Sequence, residues 1–318
     1  MSWLARSLAR GFKNAPLVAV VHLRGVIAPP ARGPQRRLNA DRARPWLAAA
    51  FGLQPDAVAL RINSPGGSPA QTELLVADIR RRAASCGGGG GGGGAKGRPP
   101  TPVYAFAEDV AASGGQWLLS GAADQGCSFA LPTSIVGSIG VTSPSFGAQD
   151  ALRKVGLERR LFTAGSAKGG LDPFRPVDPA DAARLEEVLA DLHASFIGAI
   201  KAARGPALAS AASPVPESDL FSGRVWTGRQ AAAMGLVDGT GGLADVMAAK
   251  LGLGVRFVEC GERVGAGGWS LFGGGGGGAS AAESVRDAVA DVAAGVPAAV
   301  VAALEERAAF ERVGVGCW

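Results

Sequence analysis

The sequence predicts an α/β domain whose strands pair in parallel, and three observations predict it. Short Val-rich apolar runs of strand length recur at residues 16–23, 57–62 and 102–107. Helical stretches separate them, at 42–51, 69–82 and from Ser113 onward. The resulting order, strand, helix, strand, helix, is the α/β signature.

Taken in order, residues 16–23 (PLVAVVHL) read as a buried strand, with His22 at the edge of the core. Residues 42–51 form a helix and 57–62 (AVALRI) the next strand, which Asn63-Ser64-Pro65-Gly66-Gly67 stops. The helix over 69–82 places Leu74, Leu75, Val76 and Ile79 at apolar positions. Residues 102–107 are the third strand. Residues 134–141 mix β-branched side chains with glycines, as a tight strand-turn-strand would. A long amphipathic helix is expected over 178–203, with His193 partly exposed on it. Shorter helices follow at 229–234 and 242–251, and the Ala-rich stretch 279–310 reads as helical, interrupted near Gly295-Val296-Pro297.

The 318 residues, 47% of them apolar, are enough for a sizeable core. Glycine is overused at 49 residues, and much of the excess sits in tracts at 87–94 and 273–278. Such tracts bury no side chain and lose much entropy on ordering, so they read as flexible surface insertions. The net charge of +5 is spread out. The runs Arg80-Arg81-Arg82 and Arg36-Arg37 lack interleaved aromatics, so nucleic acid is not an expected partner. Cys86, Cys127, Cys260 and Cys317 show no CxxC spacing and no accompanying histidines, which argues against a zinc site and a disulfide framework. No metal and no cofactor is expected.

No stretch approaches the roughly 20 apolar residues that a membrane span requires. Residues 1–15 carry Arg and Ser and precede the first acid, Asp41. They read as an organelle-targeting segment or a peripheral amphipathic helix, giving a soluble, organellar, cytoplasmic or membrane-peripheral protein. The expected organisation is that segment, a domain over 16–252 with a Gly-rich insertion at 87–98, and a low-complexity linker with a helical tail over 253–318.

The chemistry is concentrated in Ala112-Ser113-Gly114-Gly115. A serine followed by two glycines at the mouth of an apolar helix can present an exposed nucleophile. The Gly66-Gly67 turn after a strand can offer bare N–H groups to an oxyanion. The two histidines, His22 and His193, lie near no serine motif. A nucleophilic serine therefore needs another base, and lysine is the reasonable substitute.

Five stretches, in order, resemble the signal peptide peptidase A family of serine peptidases in its single-domain form: 61–68 (RINSPGGS), 112–115 (ASGG), 132–141 (PTSIVGSIGV), Lys168 with 172–176 (DPFRP), and 223–231 (GRVWTGRQA). The resemblance implies a ClpP/crotonase-like spiral of ββα units with C-terminal helices, assembled as a homo-oligomeric ring or dome. It also implies hydrolysis of peptide substrates by a Ser-Lys dyad, with Ser113 as nucleophile and Lys168 as base. Gly114 and the Gly66-Gly67 turn would form the oxyanion hole. The lysine can come from a neighbouring subunit. Ser134 and Ser138 are candidate secondary polar groups, one of them to position Lys168. The sequence departs from the family at Gln116, where an aromatic residue is common, and at Ser166, where a second lysine is frequent. Many relatives carry an N-terminal membrane span that these residues lack.

A serine hydroxyl is a weak nucleophile until a base takes its proton. Lysine can do so only when neutral, and a dry pocket lowers its ordinary pKa of about 10.4. Ala167, Gly169, Gly170 and Leu171 include no acid, and Asp172 is the nearest. The expected activity is a serine endopeptidase acting on short or unfolded peptides. The alternatives are a catalytically silent ring scaffold and a crotonase-type acyl-CoA enzyme. The retained serine and lysine count against the first, and neither has a purpose in the second.

Overall fold

The structure, a computed structural model, describes residues 15–30, 37–85 and 99–261. These lie in one of the chain's two compact units. The expected targeting segment up to residue 14, both glycine tracts, Cys86, Cys317 and the tail helix fall outside the described residues.

Three strands form the parallel centre of one sheet: β1 (Leu17–Arg24), β2 (Ala57–Ser64) and β3 (Val103–Ala112). Their near-continuous apolar runs reflect burial on both faces. Ala19, Val21 and Leu23 enter the larger core, while Val18 and Val20 enter a second one with Tyr104, Phe106 and Met247. Helices α1 (Ala40–Gly52), α2 (Pro69–Ser85) and α3 (Gly114–Ala122) contribute to the larger core. On α2, Asp78 pairs with Arg81 and Arg82 one turn further along.

β3 shares its outer edge between two short strands. Ala105–Ala107 pair with β4 (Ser128–Ala130), and Val110–Ala112 pair with β5 (Ile135–Gly137). The sheet thus forks just before Ser113. The second strand expected within 134–141 does not form. Gly137 has φ +94° and Ser138 φ +53°, left-handed backbone that cannot continue a strand. The Ser138 N–H instead donates to the Arg224 carbonyl at 2.7 Å.

The chain continues through α4 (Gln149–Lys154), α5 (Pro179–Ala209), α6 (Glu217–Leu220), β6 (Val225–Thr227), α7 (Gly228–Ala233), β7 (Gly239–Thr240), α8 (Leu243–Leu251) and β8 (Arg256–Cys260). β6 pairs antiparallel with β5, and β7 pairs parallel with β4. β8 lies parallel to β1, so the sheet runs past the expected domain limit at 252. His22 Nε2 meets Glu259 Oε2 at 2.5 Å across that pair.

α5 is 31 residues long and buries only Phe196, Ile200 and Arg204. Phe196 stacks on Trp117 of α3 with ring centroids 5.1 Å apart. Arg204, 3% exposed, donates to Asp238 at 2.9 Å and to the Gly235 carbonyl. The stretch before these anchors exposes Phe146, Val155, Leu157, Val177 and Val188, and leaves Phe162 92% exposed. The parallel sheet with its packed helices is the ClpP/crotonase-like α/β class.

Candidate active site

The last residues of β3 are paired to β5, and the first residues of α3 turn away from the sheet. Ser113 sits between them as the N-cap of α3, half-buried, at φ +52° and ψ −122°. A residue with a side chain in this region stores about 1–3 kcal/mol of strain, so the surroundings must impose it. The Ser113 N–H donates to the Gly137 carbonyl at 2.8 Å, and the Ser113 carbonyl accepts the Trp117 N–H at 3.1 Å. The Ser113 side chain makes no capping bond, which leaves its hydroxyl available.

The two glycines after Ser113 are a packing requirement. A Cβ on Gly114 would lie 2.7 Å from Thr72 Oγ1, and one on Gly115 would lie 2.5 Å from the Ser64 carbonyl oxygen. α3 can therefore begin against the end of β2 only without side chains there.

The Gly66-Gly67 turn comes to the same place. A Cβ on Gly66 would lie 2.7 Å from Ser113 Cβ and 2.6 Å from the Gly114 nitrogen. Ile27 clamps the turn: its N–H donates to the Gly66 carbonyl at 2.8 Å, and its carbonyl accepts the Ser68 N–H at 2.7 Å. The Gly66 N–H is already bonded to Ser64 Oγ at 3.1 Å. The Gly67 and Gly114 N–H groups have no acceptor among the described residues. Of the expected oxyanion donors, Gly67 and Gly114 are thus open and Gly66 is committed to shaping the turn. Ser64 and Ser68 act as turn and cap residues, Ser68 Oγ accepting the Gln71 N–H at 3.4 Å.

Lys168 lies elsewhere on the chain, in an exposed turn. The dry surroundings expected for it are not formed by the described residues, and no hydrogen bond joins it to Ser113. Gly169 and Gly170 let the turn pack closely; a Cβ on Gly170 would lie 2.6 Å from the Asp181 carboxyl carbon. Asp172 does not pair with Lys168. It accepts from Arg159 Nε at 3.1 Å and from the Phe174 N–H at 3.0 Å. Burial works to raise its pKa, but those bonds and the nearby guanidinium charges outweigh it and hold the carboxyl below its usual range.

The two secondary serines separate. Ser134 is buried and donates to the carbonyls of Ala107 and Glu108 while accepting the Leu131 N–H at 3.0 Å. It closes the β4–β5 turn and has no bond to Lys168. Ser138 follows Gly137 and so borders the Ser113 turn. His193 is half-buried, with Nε2 3.2 Å from the Ile139 carbonyl. Cys127 and Cys260 are free, and burial pushes both thiols up, away from the reactive thiolate. No group of three or more metal-ligating side chains occurs among the described residues.

One contributor escaped the sequence reading, and another was singled out there only as a departure from the family pattern. Ile27 has no local signal, because its role is made by backbone bonds across the fold. Gln116 carries one: an amide inside an apolar helix. It is fully buried, and its Oε1 accepts the Gly137 N–H at 3.1 Å. It is a link inside the fold and lines no cleft.

Comparison with known proteins adds the following. Residues 97–254 match the model of Peptidase family S49. The chain is 39% identical over 240 residues to a protein of Brucella abortus named Na(+)/H(+) antiporter NhaA, covering 75% of this chain and 30% of that one. It is 29% identical over 194 residues to the chloroplastic serine protease SPPA of Arabidopsis thaliana, covering 60% of this chain and 25% of that one. It is 27% identical over 192 residues to Protease 4 of Salmonella typhi, covering 60% and 27%. The chain therefore spans less than a third of the length of these relatives. No helix among the described residues is long and apolar enough to cross a membrane.

Proposed function

We propose that the chain is an SppA-like serine endopeptidase of peptidase family S49, acting on short or unfolded peptides. The observation that supports the proposal is the Ser113 turn: a strained serine whose side chain makes no capping bond, flanked by two N–H groups that have no acceptor among the described residues.

In the proposed reaction the Ser113 hydroxyl attacks the scissile carbonyl carbon while neutral Lys168 takes its proton. The carbonyl π electrons move onto oxygen, and the oxyanion accepts from the Gly67 and Gly114 N–H groups. The positive end of the α3 dipole favours the same charge. Collapse expels the amine, which takes the proton from Lys168, and leaves an acyl-serine. Water, deprotonated by Lys168, then attacks the ester carbonyl; collapse expels the Ser113 oxygen, which takes the proton back from Lys168.

The base is proposed to act across copies of the chain. Lys168 is exposed and lies in the stretch that displays Phe146, Leu157 and Phe162. An apolar display of this kind suits a second copy, whose approach would exclude water from the lysine.

The test is turnover of short unstructured peptides. Ser113→Ala and Lys168→Ala chains are expected to be inactive alone and to regain part of the activity when mixed and reassembled. Activity in Ser113→Ala alone would overturn the peptidase assignment. Demonstrated co-assembly without recovery would overturn the exchange of Lys168 between copies.

A further inference from the structure

One residue, Gly137, is held from the same helical turn at both its N–H and its carbonyl. The Gly137 carbonyl accepts the Ser113 N–H at 2.8 Å, and the Gly137 N–H donates to Gln116 Oε1 at 3.1 Å. Gln116 Nε2 in turn donates to Ser120 Oγ at 2.8 Å. That second bond orients the amide, because only its oxygen can accept from Gly137. The side chain is fully buried, and Ser120 is 3% exposed, so water does not compete for these groups.

Gly137 is the last rung of β5, opposite Ala112. There β3 ends and the chain turns out of the sheet. The Gln116 amide ties the first turn of α3 back to that rung. It therefore acts on the two atoms that matter for the site: the Ser113 hydroxyl before the turn and the Gly114 N–H at the start of the helix. Gly137 is also tightly packed: a Cβ on it would lie 2.7 Å from Trp226 Cδ1 and 3.0 Å from the Arg224 carbonyl oxygen.

We propose that Gln116 is a positioning residue for the nucleophile, holding Ser113 in its strained conformation through the backbone of Gly137. This rests on Ser113 being the nucleophile. The strain persists only while the surroundings impose it. Of the contacts that impose it, the Gln116 amide is a side-chain contact that can be removed without changing the backbone of the turn. A glutamine present only to fill the core would affect stability and nothing else.

The test uses the full chain, a fluorophosphonate probe that reports the reactivity of Ser113, and peptide turnover. Gln116→Met keeps the length of the side chain and removes both bonds. It is expected to lower the labelling rate and kcat by about tenfold or more with KM within about twofold, since misplacing a reacting group acts mainly on the chemical step. Gln116→Glu keeps an acceptor for the Gly137 N–H and is expected to recover labelling to within about threefold of the unmodified chain. Ile79→Val, a packing lesion in α2, is expected to lower the melting temperature and leave the labelling rate alone. Gln116→Met labelling as fast as the unmodified chain, measured below both melting temperatures, overturns the proposal. If Gln116→Met does not fold, Gln116→Glu decides: a folded variant with tenfold slower labelling overturns it. An active unmodified chain that is not labelled at Ser113 would instead overturn the nucleophile assignment beneath it.

Discussion

The Ser113 N–H donates to the Gly137 carbonyl across 2.8 Å, joining the end of β3 to the end of β5 where the chain leaves the sheet. The Ser113 half of the proposed site is arranged around that bond. Gly66 presses on Ser113 from β2, Gly114 opens α3, and Gln116 holds the other side of Gly137.

Gly66→Ala tests the closeness of the two turns. The added methyl would meet the Gly114 nitrogen at 2.6 Å and Ser113 Cβ at 2.7 Å, at a φ of +98° that disfavours any side chain. Turnover is expected to fall by about 100-fold or more, the scale on which oxyanion donors act. Steady-state kinetics at a temperature where the variant is folded give the answer. Activity within about threefold of the unmodified chain would mean that the turn has no part in catalysis.

Lys168→Arg tests the base. The guanidinium stays protonated throughout the usable pH range and cannot accept the Ser113 proton. Turnover is expected to fall by about 100-fold or more. A variant as active as the parent would remove Lys168 from the mechanism.

Asp78 gives a pH dependence of stability. Burial alone would raise its pKa, but its hydrogen bonds and charge pairing with Arg81 and Arg82 prevail and the net shift is downward. A carboxyl with a depressed folded-state pKa stabilises the fold above the unfolded value of about 3.9 and loses that contribution as pH falls through the folded value. Asp78→Asn is therefore expected to melt below the parent at pH 7, with the gap closing below about pH 4. Melting curves across that range check it. A constant gap would show that the ion pairs contribute nothing.

The central strands and their helices were legible because both faces of the sheet are buried, which makes β1, β2 and β3 nearly continuous apolar runs. The strands β4, β6, β7 and β8 were not, since they are two to five residues long and too short for a periodicity to develop. α5 was expected to stop at 203 but continues to Ala209, past Gly205-Pro206. Arg204 fastens that end to Asp238, and Gly235 approaches so closely that a Cβ there would lie 2.3 Å from the Ala207 carbonyl oxygen. Tertiary anchoring overrides the local stop signal. In the site, the glycines were legible because the backbone itself demands them. The surroundings of Lys168 were not, because the exposure of a lysine depends on what packs over its turn and not on its neighbours in sequence.

The most direct measurement is the mapping of a fluorophosphonate label by mass spectrometry on the purified, active chain. The label is expected on the peptide containing Ser113, with Ser113→Ala neither labelled nor active while it remains folded. A label on a different serine, or peptide turnover that persists in Ser113→Ala after contaminating proteases are excluded, would contradict the account.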